Sequence, residues 1–143
     1  MLLRGAIAGG ISGIIMGLSL KWMETVTTNK VYVLLLNVDF IPFLRNQEYS
    51  EFTEFCFHLV IAVIVGVLYS LIISKLHIYQ KSRQYLTSIL ITTPTILLYF
   101  PLTSLAIKET PSVTNGTAIF LWTVGHILFA IFLPTINNLF KKG

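Results

Sequence analysis

Residues 5–22 read GAIAGGISGIIMGLSLKW, an apolar run in which Gly5, Gly9, Gly13 and Gly17 recur at a spacing of four. Residues four apart share one face of an α-helix, so this spacing predicts a helix with a groove of glycines along one side. Helices in lipid associate through close backbone approach, which a glycine groove permits. We therefore predict that this face packs against another helix, either in the same chain or in a second copy. Contact between the glycines and a ligand is the alternative.

Three further stretches are apolar and long enough to cross a bilayer, which requires roughly 20 residues. They are residues 52–74, 85–107 and 117–140. The chain is 55% hydrophobic and 11% charged, whereas a soluble domain carries about a quarter charged residues. The sequence thus predicts an all-α integral membrane protein, with residues 1–143 forming a single four-helix bundle in the lipid bilayer. No small-x-small cleavage site follows the first span, so we expect that span to be retained.

A fifth apolar segment, residues 31–44, contains Asn37, Asp39 and Pro42 and is too short to span the membrane. We expect it to lie along the interface, or to enter the membrane and return, between the first and second spans. The alternative is an ordinary loop that happens to be apolar.

Four spans place both termini on one side of the membrane, and the charges then divide unevenly. The terminal side carries Arg4, Lys75, Lys81, Arg83, Lys141 and Lys142, and the other side carries Lys21, Lys30, Arg45, Lys108 and all six acids. Basic residues are enriched in cytoplasmic loops, so both termini are predicted to be cytoplasmic.

The net charge of +4 is spread thinly along the chain. It forms no basic face and argues against a nucleic-acid partner.

The second and third spans carry stripes of polar and small residues. Ala62 and Gly66 continue an i+4 row in the second span and are predicted to pack against another helix. In the third span Ser88, Thr92, Thr95, Tyr99 and Thr103 form a polar line. Pro94 and Pro101 interrupt its hydrogen-bond ladder, and we expect neighbouring hydroxyls to satisfy some of the freed carbonyls.

Titratable residues inside a span call for a functional hypothesis. The half of the bundle away from the termini is predicted to hold one cluster, formed by Glu54, His58, Tyr99 and His126 with Lys21 at its rim. Two interpretations are open. In one, the imidazoles hydrogen-bond neighbouring helices and stabilise packing. In the other, the cluster is a water-accessible vestibule that binds a small polar ligand or senses or relays protons.

No HExxH, GxSxG, CxxC or P-loop pattern occurs in the sequence. We therefore expect no enzymatic activity, no catalytic residue, no cofactor and no metal. Two histidines and one glutamate on two helices are weak evidence for a metal site. The lone Cys56 excludes an internal disulfide and is expected to be a packing residue.

Scattered residues resemble the YagU-like family of bacterial inner-membrane proteins. They are the glycine-rich first span ending in Lys21-Trp22 with Glu24 after it, Phe57-His58-Leu59 opening a span that runs to Gly66 and Tyr69, and Gly125-His126 leading to Pro134. The resemblance implies a multi-pass protein of the bacterial inner membrane and no particular reaction.

Together these features predict a non-enzymatic packing scaffold or accessory subunit, responsive to external pH through the His and Glu cluster. A partner, or a second copy, would bind through the glycine face. The second hypothesis is a small transporter or channel for protons or a small polar solute. A membrane-embedded enzyme ranks third.

Overall fold

The structure, a computed structural model, describes residues 1–45 and 47–140. Its helices are α1 (Leu2–Thr27), α2 (Val31–Leu36), α3 (Glu51–Lys75), α4 (Lys81–Leu97), α5 (Tyr99–Leu105) and α6 (Gly116–Leu139). Four helices are long and apolar enough to cross a membrane, with α4 and α5 together counting as one, Lys81–Leu105. The predicted all-α class and the four candidate spans are confirmed. Each helix begins or ends a few residues from the predicted limits.

The helix order around the bundle is α3, α1, α6 and α4. Helix α1 packs extensively on both α3 and α6, and α4 packs mainly on α6. Contact between α3 and α4 is much less extensive. The two termini of the described chain share one end of the bundle, called here the termini end. The opposite end, where α2 lies, is called the α2 end.

The glycine row of α1 lies against α3. A β-carbon added at Gly5 would lie 2.6 Å from the carbonyl oxygen of Gly66, and one added at Gly13 would lie 2.6 Å from the Cβ of Ala62. At Gly9 an added β-carbon would overlap the carbonyl oxygen of Ala62, so the two backbones are nearly in contact. The absence of side chains permits this approach, which maximises dispersion contacts between the helices.

The remaining glycine of the row, Gly17, packs under the ring of Phe55. The glycine face is therefore covered within the chain along its length. Binding of a second copy or of another membrane protein through this face stays a prediction. Such a partner would have to replace α3.

The segment after α1 packs across the α2 end. Val31 and Leu34 are fully buried, against the ends of α1, α3 and α6. Glu24 accepts the backbone N–H groups of Tyr32 at 2.7 Å and Val33 at 3.0 Å, and so satisfies free donors in the first turn of α2. The apolar character of this segment thus has a packing explanation.

Buried Asp39 attaches the same segment to the connection after α5. Its carboxylate accepts the backbone N–H of Ile107 at 3.3 Å and of Lys108 at 2.9 Å. A carboxylate that accepts two backbone donors forms strong, charge-assisted bonds. Asp39 therefore fixes the backbone position of Lys108, whose side chain pairs with Glu54.

The third span is broken at Leu98, between Pro94 and Pro101. The Thr92 hydroxyl donates to the Ser88 carbonyl at 2.8 Å, and the Thr95 hydroxyl donates to the Thr92 carbonyl at 2.6 Å. The indole N–H of Trp122 donates to the Ile96 carbonyl at 3.1 Å, at the end of α4. A side chain of α6 thus satisfies a carbonyl at the break, a partner that sequence spacing does not reveal.

Candidate functional site

The five residues predicted to form one cluster occupy three places in the structure. His58 and His126 line a common cavity, Glu54 and Lys21 belong to a charged group at the α2 end, and Tyr99 contacts the connection before α6. No hydrogen bond or ion pair in the described chain links Lys21 or Glu54 to either imidazole. The separation follows from tertiary pairing, because Glu54 and Lys21 each have another partner of opposite charge.

The two histidines face a cavity of about 90 Å³ between the helices. His58 comes from α3 and His126 from α6, and both are more than nine-tenths buried. The rest of the lining is mostly apolar and includes Met16, Leu35, Ile61, Leu98 and Phe129. The cavity therefore places two nitrogen rings among hydrocarbon side chains.

His126 is oriented by the preceding turn of its own helix. Its Nδ1 lies 2.8 Å from the carbonyl oxygen of Trp122. Because a carbonyl only accepts hydrogen bonds, Nδ1 carries the proton, and in the neutral ring Nε2 is then an acceptor. The imidazole also lies against the Trp122 indole, with ring centroids 4.4 Å apart. Within the described residues Nε2 makes no hydrogen bond.

His58 is directed at the glycine row of α1. Its buried Nε2 makes no hydrogen bond of normal geometry in the described chain, and it faces the backbone of Gly13. A β-carbon at Gly13 would lie 3.8 Å from this nitrogen. The ring of Phe55 lies on its other side, with centroids 6.0 Å apart. The glycine spacing that packs α1 on α3 thus also makes room for an imidazole.

Tyr99 has a positioning role at the start of α5. Its hydroxyl donates to the Ser112 carbonyl at 2.8 Å, and its ring meets the edge of Trp122 at a centroid distance of 6.2 Å. It contacts the histidine cavity through Trp122 rather than directly. Trp122 shares an i+4 row with His126 in the sequence but was not among the residues predicted for the cluster.

The charged group at the α2 end is made of paired side chains. Lys21 bonds Glu51 at 2.5 Å, Lys108 bonds the buried Glu54, and the Tyr32 hydroxyl donates to Glu51 at 3.0 Å. Burial, and next the Glu51 carboxylate, hold the pKa of the Tyr32 phenol above its usual range. These residues surround a recess of about 380 Å³. Both lysines of the recess are already paired with a glutamate.

A metal centre finds no support among the described residues, where no group of three or more His, Cys, Asp or Glu side chains could hold an ion. The two imidazoles alone would supply too few ligands for a structural zinc site.

Comparisons with protein-family models, with curated proteins and with solved structures find no match for this chain. The resemblance to the YagU-like family stays a prediction.

Proposed function

We propose that this chain is a non-enzymatic membrane bundle, a packing scaffold or accessory subunit of the bacterial inner membrane, whose core responds to pH through His126 and His58. The observation that carries the proposal is the cavity, where two buried imidazoles meet with no carboxylate bonded to either in the described chain. Histidine is the side chain whose charge ordinarily changes near neutral pH.

Protonation would place a positive charge in this mostly apolar cavity. The nearest acid on α3, Glu54, lies one turn before His58, and its carboxylate is bonded to Lys108. A charge without a partner in apolar surroundings is unfavourable. We therefore expect acidification to loosen the contacts of α6 with α1, which would transmit external pH to whatever the scaffold supports.

The close seam between α1 and α3 supports the scaffold part of the proposal. It forms a stiff pair of helices on which α6 and α2 pack. Both termini are proposed to be cytoplasmic, so that the α2 end and its acids face the outside.

The indole of Trp122 provides the test. The sequence has two tryptophans, and in a Trp22→Phe background the emission comes from Trp122 alone. A cationic imidazole 4.4 Å from an indole perturbs it electrostatically. Emission is therefore expected to change as the pH falls from about 8 to about 3, a range that extends below the ordinary histidine titration because a protonated ring is unfavourable in apolar surroundings.

Two variants decide how this titration is assigned. His126→Gln should abolish the change, while His77→Gln, which alters an exposed histidine between α3 and α4, should leave it intact. Emission that is independent of pH in the Trp22→Phe protein would contradict the pH-responsive core. So would a titration that survives both His126→Gln and His58→Gln.

A second candidate function, passage of protons or a small polar solute, is favoured by one separate observation. The hydroxyls of Ser12, Tyr69 and Ser88, on three different helices, are buried without a hydrogen-bond partner in the described chain. Water or a polar solute between the helices would supply such partners. Gln84 and Thr92 are also buried, one turn on either side of Ser88 along α4.

Proton flux into liposomes, followed with an entrapped pH-sensitive dye, tests this candidate. Ser88→Ala and Thr92→Val should reduce flux, whereas Thr93→Val, which changes an exposed hydroxyl on the same helix, should not. Wild-type protein that conducts neither protons nor any tested solute would eliminate the candidate and leave the scaffold proposal standing.

A further inference from the structure

A polar pocket of about 270 Å³ lies at the termini end, apart from the histidine cavity. It is formed by the start of α1, the connection between α3 and α4, and the last turns of α6. Its polar lining includes Arg4, Ser74, His77, Gln84, Asn137 and Asn138.

Arg4 supplies donors to this pocket. Only its Nε forms a hydrogen bond, to Oδ1 of Asn137 at 3.1 Å, so its two terminal nitrogens have no partner in the described chain. Asn137 is 1% exposed, and its Oδ1 is occupied by Arg4. The amide nitrogen of Asn137 is thus a further donor without a partner among the described residues.

The wall beside these donors is held in place by its own hydrogen bonds. Gln84 donates from Nε2 to the Ile78 carbonyl at 2.9 Å and accepts from Nδ2 of Asn138 at 2.8 Å. Gln84 is buried. The pocket is therefore a preorganised site, and its unpaired donors converge without having to displace internal partners.

The charged side chains described at this end of the bundle are all basic. Residues 1–23, 55–108 and 110–143 contain no Asp or Glu. The cations of this end that the structure describes are Arg4, Lys75, Lys81 and Arg83, and none of them forms an ion pair within the described residues. Cations collected here without acids attract an anion from outside the chain.

We propose that this pocket binds the phosphate group of an anionic phospholipid. A guanidinium presents planar donors that match phosphate oxygens, and Asn137 adds a neutral donor. The pocket lies at the ends of membrane-crossing helices, at the level of lipid headgroups, where basic pockets between helices hold anionic lipids. Ile73 and Ile78 in the lining provide apolar surface for the first part of the acyl chains.

The test uses the full chain in an uncharged detergent, with thermal unfolding followed during titration with short-chain phosphatidylglycerol. Binding to the folded state raises the unfolding temperature as ligand is added. Phosphatidylcholine, whose phosphate is neutralised by its own ammonium group, should stabilise the protein less. Inorganic phosphate is titrated separately to distinguish a free anion from a headgroup.

Arg4→Gln should raise the phosphatidylglycerol concentration at half-effect by about tenfold, since a charge-assisted bond is lost. Because Arg4 also contacts α6, a second variant carries Lys81→Gln with Arg83→Gln on the exposed rim and should show a smaller increase. Lys30→Gln removes a cation at the α2 end and serves as the control with unchanged binding.

Three results would overturn the proposal. The first is an unchanged half-effect concentration in both the Arg4 variant and the rim variant. The second is equal stabilisation by phosphatidylcholine and phosphatidylglycerol. The third is inorganic phosphate acting as strongly as the lipid, which would assign the site to a free anion.

Discussion

The two ends of the bundle carry similar numbers of basic residues but compensate them differently. At the α2 end, Lys21, Lys30 and Lys108 each bond a glutamate. At the termini end, Arg4 bonds only an amide, and no described cation has a carboxylate partner. The number of basic residues alone therefore does not describe the electrostatics at one end of the bundle, because it does not show which of them are paired with acids. Three of the four basic side chains at the α2 end are paired with a glutamate, whereas none of the described cations at the termini end is paired with an acid.

The largest expected effect on stability comes from disrupting the contact between α1 and α3, which runs along the bundle and joins its two ends. Gly9→Ala should destabilise the protein by about 1–3 kcal/mol, because the new methyl group overlaps the Ala62 carbonyl oxygen. Thermal unfolding in detergent measures the change.

Gly10→Ala is the matched control for this substitution. Its β-carbon would lie 3.6 Å from Cγ2 of Val63, an ordinary contact. Equal destabilisation by the two variants would show that glycine in α1 matters for a reason other than contact with α3.

A smaller effect is expected from removing one ion pair at the α2 end. Lys108→Gln leaves Glu54, 7% exposed, without its cation and should destabilise the protein by about 1–2 kcal/mol. Lys30→Gln removes a pair whose glutamate, Glu109, is exposed, and it should change the unfolding temperature little. If the two variants behave alike, burial of the carboxylate does not set the strength of the pair.

The substitutions with the smallest expected effect on stability test which end of the bundle faces the cytoplasm. In a Cys56→Ser background, single cysteines at Gln80 and Ser112 replace exposed residues at opposite ends and should leave stability nearly unchanged. A membrane-impermeant maleimide added to intact cells should label only position 112. Labelling of position 80 alone would reverse the proposed orientation and place the unpaired cations outside.

Sequence alone predicted the spans and the residues that pack the first helix. Hydropathy and length determine whether a segment crosses the membrane, and the four-residue spacing of Gly5 to Gly17 directly describes one helix face. These features are local, so a single helix contains all the information. The position of Asn46 and of residues 141–143, including Lys141 and Lys142, lies outside the described residues.

The candidate site was less accessible to prediction because its pairings are long-range. Glu54 lies one turn from His58 in sequence, yet its partner is Lys108, which Asp39 positions through the connection after α5. The packing of α2 over the bundle end and the break at Leu98 likewise depend on neighbouring helices. A helical spacing rule describes one helix and cannot show which side chain another helix brings to it.

Trp122 has a mechanical consequence for the bundle. Its indole holds the end of α4 at Ile96, and its backbone carbonyl holds the ring of His126. Separation of α4 from α6 near Ile96 would break the first bond, and rotation of the imidazole would break the second. One residue of α6 therefore fixes both the end of α4 and the orientation of the His126 ring.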